Sequence, residues 1–295
     1  MLTRFLRSAA ASGPPAAAPQ ASAVPVETAT DPSAALWYMP PPALDGYAGL
    51  VRSSQGVFIV PDQDEGVGRQ LRTFGAYEGP QLDLLCRMAG LSRGEAILDI
   101  GANIGVTTVV MARAALSGVT VHAYEAQRVV YWMLAGNLAV NGVDNARCRL
   151  LAIGAAVGEA RVPVLDYRRP ARFGSVELDR VAQSDALQDA RDGRFETVAM
   201  ASVDSLHAAG VGLMKIDVEG MEVAVLRGAA GAIARDRPLL FVEHLKSDTQ
   251  GIVRLLDDAG YRLFDFADNH VGLPRERTDL DALAADLAAY AVPRP

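Results

Sequence analysis

The most constraining stretch of this chain is a short apolar run, Ala96-Ile-Leu-Asp-Ile100, which breaks into Gly101-Ala-Asn103-Ile-Gly105 and continues as the apolar segment Val106 to Leu116. A run this short, ended by a glycine, fits a strand buried on both faces, and the segment after it has helical length. Gly101 and Gly105 permit a tight turn between the two and let backbone approach a ligand that a side chain would exclude. The helix that follows presents free amide donors at its start. Strand, glycine turn and helix together open a βαβ unit, whose parallel strands need helices to cover them. The chain is therefore an α/β protein before anything else about it is known.

The rest of the sequence keeps that rhythm. Pro80 to Ala89 places Leu82, Leu85, Met88 and Ala89 on one helical face. Val119 to Tyr124 is a second strand, Val129 to Ala139 a helix, and Cys148 to Ala155 a third strand. Residues 156 to 200 depart from the alternation and form an insertion, with strands at Ala160 to Leu165 and Phe195 to Ala199 around a polar stretch from Ser175 to Arg194. Strand Leu213 to Val218, helix Glu222 to Leu226, strand Leu239 to Glu243, helix Thr249 to Ala259, strand Tyr261 to Phe266 and a last helix, Ala282 to Tyr290, complete the series. The order predicts a mostly parallel sheet with right-handed crossovers and helices on both faces. This domain runs from 80 to 295. Before it, residues 1 to 35 are rich in Ala and Pro without periodicity and are expected to be disordered. Residues 36 to 79 form a lead-in with a short strand, Gly56 to Val60, placed either to cover the acceptor pocket or, the preferred reading, to pack against the main domain.

Half of the 295 residues are hydrophobic, enough for a substantial core. The net charge of −7 opposes a basic, phosphate-neutralising face, so nucleic acid is not an expected partner. The only two cysteines, Cys86 and Cys148, sit far apart in apolar segments and suggest buried thiols in a reducing compartment. No apolar run is long enough to span a bilayer, and Gly13, Pro14 and Pro15 interrupt the opening segment before a signal-peptide core develops. A cytoplasmic protein is expected; its oligomeric state is not legible.

Glu125 closes the second strand, a little over 20 residues after the glycine turn, where a carboxylate accepts hydrogen bonds from ribose hydroxyls. Asn103 stands where a dinucleotide fingerprint would have glycine, so the pattern favours a nucleoside ligand without a pyrophosphate. Asn103 itself suits either a turn or a ligand contact, because asparagine tolerates left-handed backbone. Asp217, Glu219, Glu243 and His244 end the later strands, at the edge where open α/β sheets form their crevice. Each is a candidate base; Asp217 and Glu219 are equally placed to cap the helix near Gly220.

Several segments resemble the FkbM-type methyltransferases: Asp99 to Gly105, Tyr124-Glu125, Asn137 to Gly142, Leu151 to Gly154, Lys215-Ile-Asp217-Val-Glu219-Gly220-Met-Glu222, Val225 to Ala229, and Pro238 to His244. The resemblance covers roughly Thr73 to Phe266. Two departures are visible: Ala126 replaces the usual proline after the ribose-binding acid, and Met221 replaces an alanine. The resemblance implies a Rossmann-like class I methyltransferase fold and S-adenosylmethionine as methyl donor. It further implies O-methyl transfer to a hydroxyl of a sugar, glycolipid or polyketide-like metabolite, that is, a small-molecule or glycan acceptor. Asp99, Gly101, Asn103 and Gly105 would then surround the methionine part, Glu125 the ribose, and Ile153 the adenine. Asp217, Glu219 and His244 are the catalytic candidates. A divalent metal is not expected, although Asp217 and Glu243 could offer it oxygen ligands, as in catechol-type methyltransferases. A nicotinamide-dependent oxidoreductase, or an inactive nucleoside-binding module of the same fold, are the competing readings.

Overall fold

A computed structural model describes residues 46–175, 190–206 and 210–290. The expected disordered tail, 1 to 35, lies outside the described residues, as does most of the polar stretch between Ser175 and Arg194. A hairpin of β1 (Ala48–Ser53) and β2 (Gly56–Pro61) leads through α1 (Val67–Phe74) and α2 (Gly79–Leu91) into the main sheet. There β3 (Ala96–Ile100), α3 (Val106–Ala114), β4 (Thr120–Glu125), α4 (Arg128–Val140) and β5 (Ala146–Leu150) follow in turn. A short β6 (Ala152–Ile153), with β7 (Gly158–Leu165) and β8 (Ala190–Ala201), makes a separate small sheet in the order β6-β8-β7. The main sheet resumes with β9 (Val211–Ile216), α5 (Glu222–Gly228), α6 (Ala230–Asp236), β10 (Leu239–Glu243), α7 (Thr249–Asp258), β11 (Tyr261–Phe266), β12 (Asn269–Pro274) and α8 (Asp281–Tyr290).

The seven strands of the main sheet are ordered β11-β12-β10-β9-β3-β4-β5, and β12 alone runs against its neighbours. This is the Rossmann-like class I methyltransferase fold. Alternation along each strand feeds two separate cores. Ile97, Val121, Leu213 and Phe241 join α2, α3, α4 and α8 on one face. Leu98, Tyr124, Met214 and Val242 join α5, α6 and α7 on the other. That two-faced burial is why the central strands are apolar at nearly every position.

The structure corrects several expectations. The third strand does not run from Cys148 to Ala155. It ends at Leu150, and Ala152–Ile153 pair with Met200 and Ala201 in the small sheet instead. β5 is the sheet edge, and its exposed Arg147 and Arg149 alternate with Cys148, so nothing beyond it rewards continuing the ladder. β1, α1, α6 and β12 were not anticipated. β12 escapes notice because Asn269-His270 opens it and Gly272 interrupts its apolar pattern. That glycine fits because a Cβ there would stand 3.2 Å from both Leu240 and Tyr261. Cys86 and Cys148 are unpaired and half-buried rather than buried. Among the described residues no helix is long and apolar enough to cross a membrane.

Candidate active site

Four parallel strands, β4, β3, β9 and β10, end at one cavity of about 370 Å³. It lies where the chain order reverses, with β4 on one side of β3 and β9 on the other, the position at which open α/β sheets bind ligands. The turn after β3 forms its floor. Gly101 has φ 76°, and a Cβ there would stand 1.7 Å from the Asp217 carbonyl oxygen, so only glycine fits. Asn103 is also left-handed, at φ 50°, and its Oδ1 accepts from the Ile104 N–H at 2.8 Å. The turn role is therefore present, and the residue lines the cavity as well.

Glu125 is held from two sides. Its Oε2 accepts from the Asn103 N–H at 2.9 Å and its Oε1 from the Gln127 N–H at 2.7 Å. Burial pushes its carboxyl up to about 7, a rise that those amides and Lys215 oppose. Ile153 lines the same end with Leu151 and Ala152, where the chain has left the main sheet. The two departures noted in sequence, Ala126 and Met221, both lie in the cavity wall.

Beneath the floor is a buried ion cluster. Asp99 on β3 pairs in register with Lys215 on β9, and neither reaches the cavity. The Lys215 ammonium donates to the Gly101 carbonyl at 2.7 Å and lies 3.5 Å from Asp99 and 3.3 Å from Asp217. Thr107 and Thr108 donate to the second Asp99 oxygen at 2.8 and 2.6 Å. Burial favours the neutral lysine, but Asp217 and Asp99 outweigh it and hold the ammonium well above its ordinary value. Asp99 thus supports the floor from below, and Gly105 likewise stands off the cavity. A Cβ on Gly105 would meet Leu134 at 2.5 Å, so its glycine serves packing of α4 against the turn.

The opposite wall is acidic. Glu78, Asp217, Glu219 and Glu243 line it with Lys246, which pairs with Glu219 at 2.8 Å. Burial and then Asp217 push Glu219 up. Burial, followed by the charges of Asp217, Glu222 and Glu219, lifts Glu243 to about 8 against an opposing hydrogen bond from the Leu245 N–H. Neither Asp217 nor Glu219 caps α5. The helix starts without a side-chain cap, and its first residue, Glu222, is fully buried and instead braces the preceding turn, accepting from the N–H groups of Val218 at 2.8 Å and Gly220 at 3.0 Å and from the Ser247 hydroxyl. Asp217, Glu222 and Glu243 each offer an oxygen within 4.8 Å of the others. The structure does not bring His244 to the cavity; its ring stacks on His270 instead.

Sequence reasoning missed Tyr77, Glu78, Gln127, Arg172 and Lys246 as lining residues. Tyr77 and Glu78 come from the lead-in and Arg172 from the insertion, segments whose path to the cavity no local pattern announces.

A sequence profile of the Methyltransferase FkbM domain matches residues 99–263, which span the glycine turn, Glu125, the Lys215 to Glu222 segment and β10. The chain belongs to the FkbM methyltransferase family. No curated protein sequence matches significantly. Among solved structures, an FkbM methyltransferase from Methylobacillus flagellatus KT is 17% identical with a TM-score of 0.42, the match covering 61% of this chain and 43% of that one. This FkbM chain therefore corresponds to less than half of that protein's length. A putative O-methyltransferase from Klebsiella pneumoniae is 15% identical with a TM-score of 0.41, covering 72% and 90% of the two chains. The O-methyltransferase TomG from Streptomyces achromogenes, solved with SAM, is 18% identical with a TM-score of 0.37, covering 71% and 87%.

Proposed function

We propose that this FkbM-family chain is an S-adenosylmethionine-dependent O-methyltransferase acting on a hydroxyl of a sugar, glycolipid or polyketide-like acceptor. The observation that carries the reading is that Glu125 and Asp217, from strands on either side of β3, line one cavity. The residues fit the donor. Glu125 is buried and fixed by two backbone amides, with lone pairs left for a ribose diol, and Ile153, Leu151 and Ala152 offer an apolar seat for a base. When bound, S-adenosylmethionine supplies an electrophilic methyl group on a positively charged sulfur.

The chain's own contribution is alignment and charge. Gly101 and Asn103 set the floor, and Lys215 fixes the Gly101 carbonyl and Asp217 relative to each other. Methyl transfer is an in-line displacement, so holding donor and acceptor in register supplies much of the rate. The Asp217 carboxylate in the cavity lining suits a positively charged sulfonium. Asp217, whose side chain is 35% exposed, faces the cavity and orients the acceptor hydroxyl or takes its proton, with Glu219 beside it. His244 stands off the cavity and has no part in this reading.

Calorimetry with S-adenosylhomocysteine and with NAD tests the cofactor. The first should bind and the second should not, and Glu125→Ala should weaken binding by about 1 to 3 kcal/mol. Preference for NAD would return the chain to the oxidoreductase reading. With an acceptor in hand, Asp217→Asn should lower single-turnover transfer about 100-fold at saturating cofactor. Near-normal turnover in a folded variant would remove Asp217 from the chemistry.

A further inference from the structure

Three metal-ligating side chains converge away from the cavity, on the β10–β12–β11 side of the sheet. Antiparallel pairing sets Asp265 of β11 directly across from His270 of β12, and His270 across from Val242 of β10. The ladder continues one step past β10, where the His244 N–H donates to the Asp268 carbonyl at 3.0 Å. Side chains alternate along a strand, so His244, two residues after Val242, falls on the face that carries His270 and Asp265.

The side chains complete what the register begins. The His244 and His270 rings lie 4.4 Å apart at 33°, and His270 Nδ1 is 2.8 Å from Asp265 Oδ1. One ligand atom from each of the three residues lies within 4.8 Å of the others. His244 Nε2 is buried and meets no hydrogen-bond partner among the described residues. A buried imidazole nitrogen without a partner is costly, and an ion pair between His270 and Asp265 does nothing for it. A bound cation would.

We propose that His244, Asp265 and His270 form a binding site for a divalent transition metal ion of the zinc class. Two imidazole nitrogens and one carboxylate oxygen suit a borderline cation, whereas magnesium and calcium favour all-oxygen sets. The Asp265 side chain is 46% exposed, which gives the ion a route from solvent and leaves a coordination position for water. The ion would clip the reversed strand β12 to both neighbours. It would also steady the turn after β10, where Lys246 pairs with Glu219 and Ser247 donates to Glu222, so its occupancy bears on the cavity wall without lying in it. The site is separate from the Asp217, Glu222 and Glu243 carboxylates.

The test uses the full chain, stripped with a chelator, dialysed, and titrated with zinc by calorimetry and with cobalt by visible absorption. A single zinc ion should bind. Asp265→Asn and His270→Gln should each weaken it by about 100-fold or more, beyond the 10 to 100-fold typical of losing an outer partner. Glu243→Gln should leave zinc affinity unchanged. Asp265 is exposed, so its variant stays informative if His270→Gln fails to fold, which circular dichroism would show. Absence of zinc binding, binding unaltered in Asp265→Asn, or binding abolished by Glu243→Gln would each overturn the assignment, the last by moving the ion to the cavity carboxylates.

Discussion

Lys215 shows how much of the site rests on one buried side chain. Its side chain is 6% exposed and its ammonium sits among Asp99, Asp217 and the Gly101 carbonyl, so loss of the ammonium would leave the buried Asp99 carboxylate and Asp217 without their shared counter-charge. Glu125 is the complementary case, a carboxyl whose burial raises it from 4.5 to about 7. Between those values the folded chain keeps a proton that the unfolded chain has lost. The stability linked to Glu125 is therefore fully present below about pH 4.5 and is lost as pH rises through about 7. Hydrogen bonds from a ribose diol favour the ionised form. Binding of S-adenosylhomocysteine should then expel a proton and tighten from about pH 6 to about pH 8, while Glu125→Gln should show no such slope. Calorimetry in buffers of different ionisation enthalpy measures both. A wild-type affinity flat across that range would mean that Glu125 is already ionised in the free protein. The position of Glu125 at a strand end is legible in sequence. Its two amide partners are not, because Asn103 and Gln127 meet it only after the turn has closed.

At the scale of elements, α4 does more than cover the sheet. Asn137, fully buried, accepts from the Ile59 N–H at 2.6 Å and donates to the carbonyls of Ile59 at 3.0 Å and Ile104 at 2.8 Å. Asn141, one turn on, accepts from the Val57 N–H at 3.1 Å and donates to the Val57 carbonyl at 2.6 Å. Two asparagine amides four residues apart thus pair with alternate residues of β2, completing an edge that would otherwise stay open. The segment Asn137 to Gly142 is recognisable as a family landmark, but what it fastens is visible only when the lead-in hairpin docks. Asn137→Ala strands three backbone groups and should destabilise the fold by at least about 2 kcal/mol in urea unfolding, with faster amide exchange at Ile59. A loss below about 0.5 kcal/mol, the range of an indifferent surface change, would show that the hairpin is held by its apolar contacts alone.

At the scale of the whole molecule, the family match stops at residue 263 but the core does not. Leu280, Leu283 and Leu287 are buried in the same cluster as Val109, Leu134 and Phe241, and α8 packs on β11. Ending the chain at Arg277 should cost more than about 5 kcal/mol, since each buried leucine lost is worth roughly 2 to 5, and should expose dye-binding apolar surface. A truncated chain with the same melting temperature would make α8 an appendage. The sequence by itself determined the fold class, the glycine turn, the strand-end acid Glu125, and β3, β10 and β11 to the residue. In each of these a few neighbouring side chains carry the whole signal through their period and their terminating glycine or acid. Only the tertiary structure decided that the chain leaves the main sheet at Leu151, that β12 inserts antiparallel between β10 and β11, and that Glu222 rather than Asp217 or Glu219 braces the turn before α5. It alone turned His244 away from the cavity. These outcomes depend on which distant strand offers free hydrogen-bonding edges and which buried charge finds a partner, and such contacts have no period along the chain.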